Sequence, residues 1–252
     1  MLYYLFRYLE VENEFDRAGS KESKNPYKFN IELRDDKISK YIKKHMQKTG
    51  LLSYLLYEDN KITIDEISPK DRLGILYNND TQFTSASVGK SIVSYVTGHA
   101  ICKGYINGVD HRLNDWPLLE NTLFYDQKLI NLLNMAAGHQ KYADFDLKTN
   151  KYHKNANSNT VEFHLKKGVF KNSKKAKSKY QYTNFLSNLL INYVWFKSEG
   201  KFQDLLDEIF VDKAKIKNDA WFLKMNDRTI KMNNRNNTIL KEYEVKDEDG
   251  PL

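Results

Sequence analysis

The stretch Thr84-Ser85-Ala86-Ser87-Val88-Gly89-Lys90-Ser91-Ile92-Val93-Ser94 opens an apolar segment that continues to Ile101. Its apolar residues wrap most of a helical circumference, and Gly104 follows at a position typical of a helix end. These residues are Val88, Ile92, Val93, Tyr95, Val96, Ala100 and Ile101. The sequence therefore predicts a buried helix over 87–101.

Ser87 and Lys90 are three positions apart, so they share one face at the start of this helix, within hydrogen-bond reach. The helix dipole and desolvation both disfavour the ammonium form of Lys90, so we expect a lowered pKa and an amine able to take the serine proton. Gly89 weakens the helix by on the order of 1 kcal/mol, as expected where another group approaches closely. On its own, the pair has a commoner explanation: a serine N-cap followed by a solvated lysine.

A second polar triplet, Tyr182-Thr183-Asn184, precedes another helical pattern. That pattern is formed by Phe185, Leu186, Leu189, Leu190 and Tyr193. Taken alone, the triplet is explained by a tyrosine packed at a helix start, with Asn184 as the cap. Because it follows Ser87 and Lys90 in order along the chain, we favour a second catalytic motif.

The two motifs resemble those of the β-lactamase-related serine hydrolases, which include class C β-lactamases, D-alanyl-D-alanine carboxypeptidases, esterases and amide hydrolases. The likeness extends through several intervening segments: Gly104-Tyr105-Ile106, Val109-Asp110, Asp115-Trp116-Pro117, and 128–138, which is similar to a helix ending in a glycine-terminated turn at Gly138.

The resemblance implies both a fold and a mechanism. The expected fold is α+β and β-lactamase/transpeptidase-like, with a helical region packed on an antiparallel sheet. Ser87 would be the nucleophile, Lys90 and Tyr182 would move protons, and Asn184 would orient the substrate. The expected substrate is a small-molecule ester, amide or β-lactam, and no cofactor is required.

The family's third motif, Lys-, His- or Arg-x-Gly late in the chain, has no good candidate after Tyr182. Lys48-Thr49-Gly50 precedes the nucleophile and fits a helix end followed by a strand, Arg72-Leu73-Gly74 lies in a turn region, and Lys166-Lys167-Gly168 lies in a lysine-rich loop. Losing one oxyanion donor from this region costs about 3 to 4 kcal/mol of transition-state stabilisation. The chain therefore resembles the first two thirds of a longer hydrolase, and the alternative is a catalytically inactive remnant that acts by binding.

The remaining pattern suggests three regions. Residues 1–36 are a poorly structured lead-in, 37–225 a partial hydrolase domain, and 226–252 a polar tail with room for one short hairpin. A helix is predicted over 36–48, and a hairpin over 51–67 that turns at Glu58-Asp59-Asn60. Relatives add three further strands and a helix to this hairpin, so we expect the sheet to be incomplete. A last helical pattern spans 201–210.

Composition sets outer limits on function. The 252 residues, 40% of them hydrophobic, can fill a core, and the single cysteine, Cys102, excludes an internal disulfide. The six histidines lack metal-site spacing. The apolar run 2–9 is short and interrupted by Arg7, so we predict no signal peptide, no membrane span and a cytoplasmic location, or a periplasmic one if a leader was lost.

The net charge of +7 raises the question of nucleic-acid binding. One cluster stands out: Lys166, Lys167, Lys171, Lys174, Lys175, Lys177 and Lys179. Few aromatic residues lie among these lysines, and small polar residues separate them, which is typical of a solvated loop. Nucleic-acid binding is therefore the weakest of the three hypotheses.

Overall fold

The computed structural model describes residues 15–75, 85–137, 179–225, 230–233 and 239–243, and for residues 15–19, 86, 184 and those from 221 onward it describes the backbone alone. The chain divides into two compact units. The described part of the first comprises 22–75 and 215–218, and that of the second comprises 15–21, 85–137, 179–214 and the residues from 219 onward.

The regular elements, in chain order, are β1 (Phe15–Ser20), β2 (Asn30–Ile31), α1 (Lys37–Met46), β3 (Ser53–Glu58), β4 (Lys61–Ile67), α2 (Gly89–Cys102), α3 (Leu129–Leu133), α4 (Asn184–Lys197), α5 (Phe202–Asp207), β5 (Ala220–Met225), β6 (Ile230–Asn233) and β7 (Ile239–Tyr243).

In the first unit, α1 begins where the sequence predicts. The Asp36 carboxylate accepts from the backbone N–H groups of Ile38 and Ser39, at 2.8 and 3.0 Å, which satisfies donors that have no partner within the helix. The apolar face of α1 packs its Ile42 and Met46 around Ile64 of β4, and all three side chains are buried. The amphipathic helix predicted over 36–48 is therefore present.

The predicted hairpin is also present. Strands β3 and β4 pair antiparallel, and Asp59 and Asn60 make the turn with φ values of 50° and 61°. Such a two-residue turn with positive φ matches the twist of the paired strands, and Asn and Asp tolerate it. Strand β2 adds to β4 in parallel, which gives a mixed sheet in the order β2-β4-β3. As predicted, 48–50 joins α1 to β3 and 72–74 lies in a turn.

In the second unit, α2 packs against α4 and α5, and α3 packs against α4. The core between these helices includes five fully buried side chains, those of Val96, Ala100, Leu129, Leu189 and Leu206. The predicted end of α2 is confirmed. Gly104 has a φ of 79° and donates to the Ile101 carbonyl, while Tyr105 donates to that of Ala100.

One prediction for α2 is wrong. Val93, Val96 and Ala100 are buried, whereas Val88 is 69%, Ile92 37% and Tyr95 49% exposed. The helices α4 and α5 pack against α2, and the buried Val93, Val96 and Ala100 belong to the core that they share with it. An apolar pattern indicates which residues favour burial, but it does not show which element packs against them.

The remaining strands form two separate ribbons. Strand β1 pairs antiparallel with β5, from Phe15 opposite Met225 to Ser20 opposite Ala220. It lies within the stretch predicted to be a poorly structured lead-in. Strands β6 and β7 form one antiparallel hairpin, as the sequence allowed after Trp221. The predicted helix over 201–210 is α5, which continues as a π-helical turn over Glu208–Lys213. Within the described ranges, no helix has both the length and the apolar character needed to cross a bilayer.

Candidate functional site

Ser87 lies in the 3-10 turn Ala86–Val88 that leads directly into α2. The Ser85 carbonyl accepts from the Val88 N–H at 3.0 Å and closes this turn. A Cβ built on Gly89 would lie 2.6 Å from Ser85 Oγ, closer than side chains pack. Glycine at position 89 therefore makes room for Ser85, which is the close approach that the sequence indicated.

Lys90 occupies the first turn of α2 and donates from Nζ to Ser87 Oγ at 3.3 Å. The helical spacing predicted this contact. Ser94 Oγ in turn donates to the Lys90 carbonyl at 3.1 Å.

Tyr182 reaches the same serine from a distant part of the chain. Its hydroxyl lies 2.5 Å from Ser87 Oγ, although 95 positions separate the two residues. The Lys90 ammonium lies 4.9 Å from the centroid of the Tyr182 ring. The structure thus brings together three of the four site residues predicted from the sequence, at the starts of two helices that pack against each other.

The pKa of Tyr182 lies below its ordinary value. The hydrogen bond with Ser87 is the main cause, and the neighbouring Lys90 charge adds to it, because both favour the phenolate. The Tyr182 side chain is 50% exposed, so water moderates the effect. A tyrosine that ionises more easily is better suited to take a proton from a hydroxyl only 2.5 Å away.

Asn184 is the first residue of α4, and its side chain lies outside the described part of the structure. Its role in orienting substrate therefore stays a prediction. Thr183, and not Asn184, caps this helix, since Thr183 Oγ1 accepts from the Phe185 N–H at 3.2 Å. The explanation of Asn184 as the helix cap is therefore wrong.

The sequence analysis missed one contact beside the site. The Gln181 N–H donates to the Met135 carbonyl at 2.7 Å, which joins the segment carrying Tyr182 to the turn after α3. That helix ends at Leu133, and Met135 makes the turn with a φ of 51°. The sequence placed the turn at Gly138, which lies outside the described residues. Methionine gives no signal for a left-handed turn, so the pattern could not have revealed it.

A second polar cluster lies apart from Ser87. Tyr193, fully buried, donates to Asp115 Oδ1 at 2.7 Å, and Lys197 Nζ lies 2.6 Å from Asp115 Oδ2. Because Tyr193 has one proton and gives it to Asp115, His111 Nε2, at 2.6 Å, must donate to the tyrosine oxygen. Burial raises the pKa of Tyr193 well above its ordinary value, as does the Asp115 carboxylate. The cluster ties α4 to the segment between α2 and α3.

Other residues considered from the sequence add no site. In the ranges that the structure covers, no three His, Cys, Asp or Glu side chains gather as metal ligands would. Of the lysine cluster, only the exposed Lys179 is described, and the lysines from 166 to 177 lie outside the described residues.

No protein-family model matches the chain, and no curated protein is similar to it. Among solved structures, the chain is similar to a Bacillus anthracis protein described as a 6-aminohexanoate-dimer hydrolase, with a TM-score of 0.64 and 12% identity. The match covers 88% of this chain and 62% of the neighbour, so this chain spans under two thirds of that protein's length. The similarity confirms the predicted α+β, β-lactamase-like fold. At 12% identity it shows the fold, and the named activity belongs to the neighbour.

Proposed function

We propose that this protein is a serine hydrolase that cleaves an ester, amide or β-lactam bond through an acyl-enzyme formed at Ser87. The observation that carries the proposal is the 2.5 Å contact between Tyr182 OH and Ser87 Oγ. It pairs a hydroxyl nucleophile with a group whose lowered pKa suits it to remove the hydroxyl proton. The sequence predicts that Lys90 shares in moving the proton; in this proposal its Nζ, 3.3 Å from the same oxygen, instead supplies the charge that favours the Tyr182 phenolate.

In the acylation step, Ser87 Oγ forms a bond to the carbonyl carbon of the substrate, and its proton passes to the Tyr182 oxygen. The carbonyl π electrons move to the carbonyl oxygen and give a tetrahedral intermediate. When this intermediate collapses, the bond to the leaving group breaks and Tyr182 returns the proton to that group. Lys90, 4.9 Å from the ring centroid, stabilises the phenolate that starts the step.

Deacylation repeats this proton transfer with water. Water attacks the acyl carbon and gives one proton to the Tyr182 oxygen, which passes it to Ser87 Oγ when the acyl bond breaks. The products are the free acid and the original enzyme. The chemistry requires no cofactor, and the resemblance gives Asn184 the task of orienting the substrate amide or ester.

A fluorophosphonate probe tests the proposal, because it bonds to an activated serine oxygen and releases fluoride. We expect one label on the wild-type chain, located at Ser87 by peptide mass spectrometry. Ser87→Ala should abolish the label. Ser91→Ala, which removes an exposed serine from the same helix, should leave it in place. Far-UV circular dichroism confirms that each variant is folded. A label on a different serine would overturn the assignment of the nucleophile.

A second candidate is an inactive relative that binds a ligand. It is favoured by the absence of a good candidate for the third motif among the residues after Tyr182. A folded wild-type chain that takes no label and hydrolyses neither an ester, an amide nor a β-lactam would favour this candidate over the hydrolase.

A further inference from the structure

The segment that carries Tyr182 is anchored on both sides of the tyrosine. On one side, the Gln181 N–H donates to the Met135 carbonyl at 2.7 Å. On the other, Thr183 caps α4 through the Phe185 N–H. The Tyr182 side chain itself is half exposed, so packing does little to hold it. The position of its hydroxyl at Ser87 therefore depends on these two anchors, one through the backbone of Gln181 and the other through the Thr183 side chain.

The Met135 anchor has an unusual conformation. The Ala136 N–H donates to the Asn131 carbonyl at 2.7 Å, and the Met135 N–H donates to the Leu132 carbonyl at 3.0 Å, so α3 ends in a Schellman motif. Met135 occupies its left-handed position, with a φ of 51°. Glycine usually fills this position, because a Cβ there is crowded by the backbone.

The same motif at the end of α2 has glycine in the left-handed position. There Gly104 has a φ of 79° and donates to Ile101, while Tyr105 donates to Ala100. The backbone of α3 therefore needs no side chain at position 135. What methionine adds is packing, because its half-buried side chain lies against the core that α2, α3 and α4 share. Strain of this kind persists where the surroundings hold it, and it is common beside active sites.

We propose that Met135 is a positioning residue for the reaction: its side chain fixes the turn to the core, so that its carbonyl holds Gln181 and places the Tyr182 hydroxyl against Ser87. This inference rests on the proposed hydrolase function. The methionine acts through Tyr182 and does not itself touch the reacting atoms. A misplacement of about 1 Å in a catalytic group lowers the rate by on the order of a hundredfold. A small movement of the turn at Met135 is therefore enough to lower the reaction rate.

Met135→Gly tests the proposal, since glycine adopts the left-handed turn easily but removes the packing side chain. We expect kcat to fall about tenfold or more with KM nearly unchanged, and the limb of the pH profile that reports Tyr182 to move to higher pH. Met135→Leu, which refills the space, should restore most of kcat. Gly104→Met places the same strain at the far end of α2 and should lower stability without moving that limb.

A readout that needs no turnover separates this inference from the proposed function. Tyrosines labelled with ¹³C at Cζ report the Tyr182 pKa by NMR, with Tyr182→Phe assigning the resonance among the 17 tyrosines. We expect the pKa to be lowered in the wild-type chain and to rise in Met135→Gly, as Tyr182 leaves Ser87 and Lys90. An unchanged pKa and kcat in Met135→Gly overturn the role of Met135, even if the wild-type chain takes the fluorophosphonate label. If the wild-type chain takes no label, the hydrolase proposal fails, while a raised pKa in Met135→Gly still supports the positioning contact.

Discussion

Replacing Gly89 with alanine should lower the rate at which Ser87 reacts while leaving the fold intact. The new Cβ would lie 2.6 Å from Ser85 Oγ, whereas ordinary contact begins at 3.4 Å, so the two groups must separate by about 0.8 Å. Ser85 Cβ lies 3.7 Å from the new group, in ordinary contact, so either the Ser85 hydroxyl rotates away or the Ser85 backbone shifts. Our prediction is that the backbone shifts, and because the Ser85 carbonyl closes the turn that holds Ser87, this moves the nucleophile. If the backbone passes a displacement of this size on to Ser87 Oγ, the rate should fall by roughly ten- to a hundredfold.

The effect on stability should not follow the effect on rate. Alanine is favoured over glycine inside a helix by up to about 1 kcal/mol, which offsets part of the contact with Ser85. We therefore expect the free energy of unfolding of Gly89→Ala to lie within about 1 kcal/mol of the wild-type value.

The double variant identifies the cause. Ser85→Ala removes the oxygen that the new Cβ meets, so Ser85→Ala/Gly89→Ala should recover most of the rate, and Ser85→Ala alone serves as the control. The rate of fluorophosphonate labelling at Ser87 measures the nucleophile, and urea unfolding followed by circular dichroism measures stability. Labelling of Gly89→Ala at the wild-type rate, or a double variant as slow as Gly89→Ala, would refute the reasoning.

Two further predictions concern groups outside the site. Tyr193→Phe should lower the free energy of unfolding by about 2 kcal/mol at neutral pH, because it removes a buried hydroxyl bonded to a carboxylate. Since burial keeps Tyr193 protonated, the hydroxyl contributes its full stabilisation below about pH 10 and loses it at higher pH. The free energies of unfolding of the two proteins should therefore converge in urea titrations at alkaline pH. A difference between them that stays constant with pH would contradict this. Asp36→Ala should lower the midpoint of urea unfolding at pH 7. Asp36→Asn, whose side-chain oxygen can still accept from the N–H groups at the helix start, should have a midpoint close to that of the wild type. The N–H groups of Ser39 and Ile38 lower the Asp36 pKa, so the difference in urea midpoint between wild type and Asp36→Ala should shrink below about pH 4. Equal differences in midpoint at pH 7 and pH 3 would contradict the role of Asp36 as the cap.

The local elements of the fold could be predicted because their signals lie within short windows. Asp36 before an amphipathic run, Asp59-Asn60 between two strands, and Gly104 after an apolar helix each fix their own backbone geometry. Ser87 and Lys90 belong to the same class, since helical spacing alone brings them together. The contact of Tyr182 with Ser87 was expected from a family resemblance, because no local rule joins residues 95 positions apart.

The features that the sequence did not predict depend on partners distant in the chain. Strand β1 has a mixed, polar sequence and becomes a strand through pairing with β5. The exposure of Val88, Ile92 and Tyr95 depends on what packs against α2, which an apolar pattern does not record. Met135 adopts its conformation because the core holds its side chain, against its own backbone preference.

The three tryptophans, Trp116, Trp195 and Trp221, all belong to the second unit, the one that carries Ser87. Trp116 is 4% exposed and stacks on Phe196, with ring centroids 5.5 Å apart, beside the buried Tyr193 cluster. Intrinsic fluorescence excited at the tryptophan band therefore observes this unit alone, without any added label. Comparing its denaturation curve with the far-UV signal, to which both units contribute, reveals whether the two units melt together or one before the other.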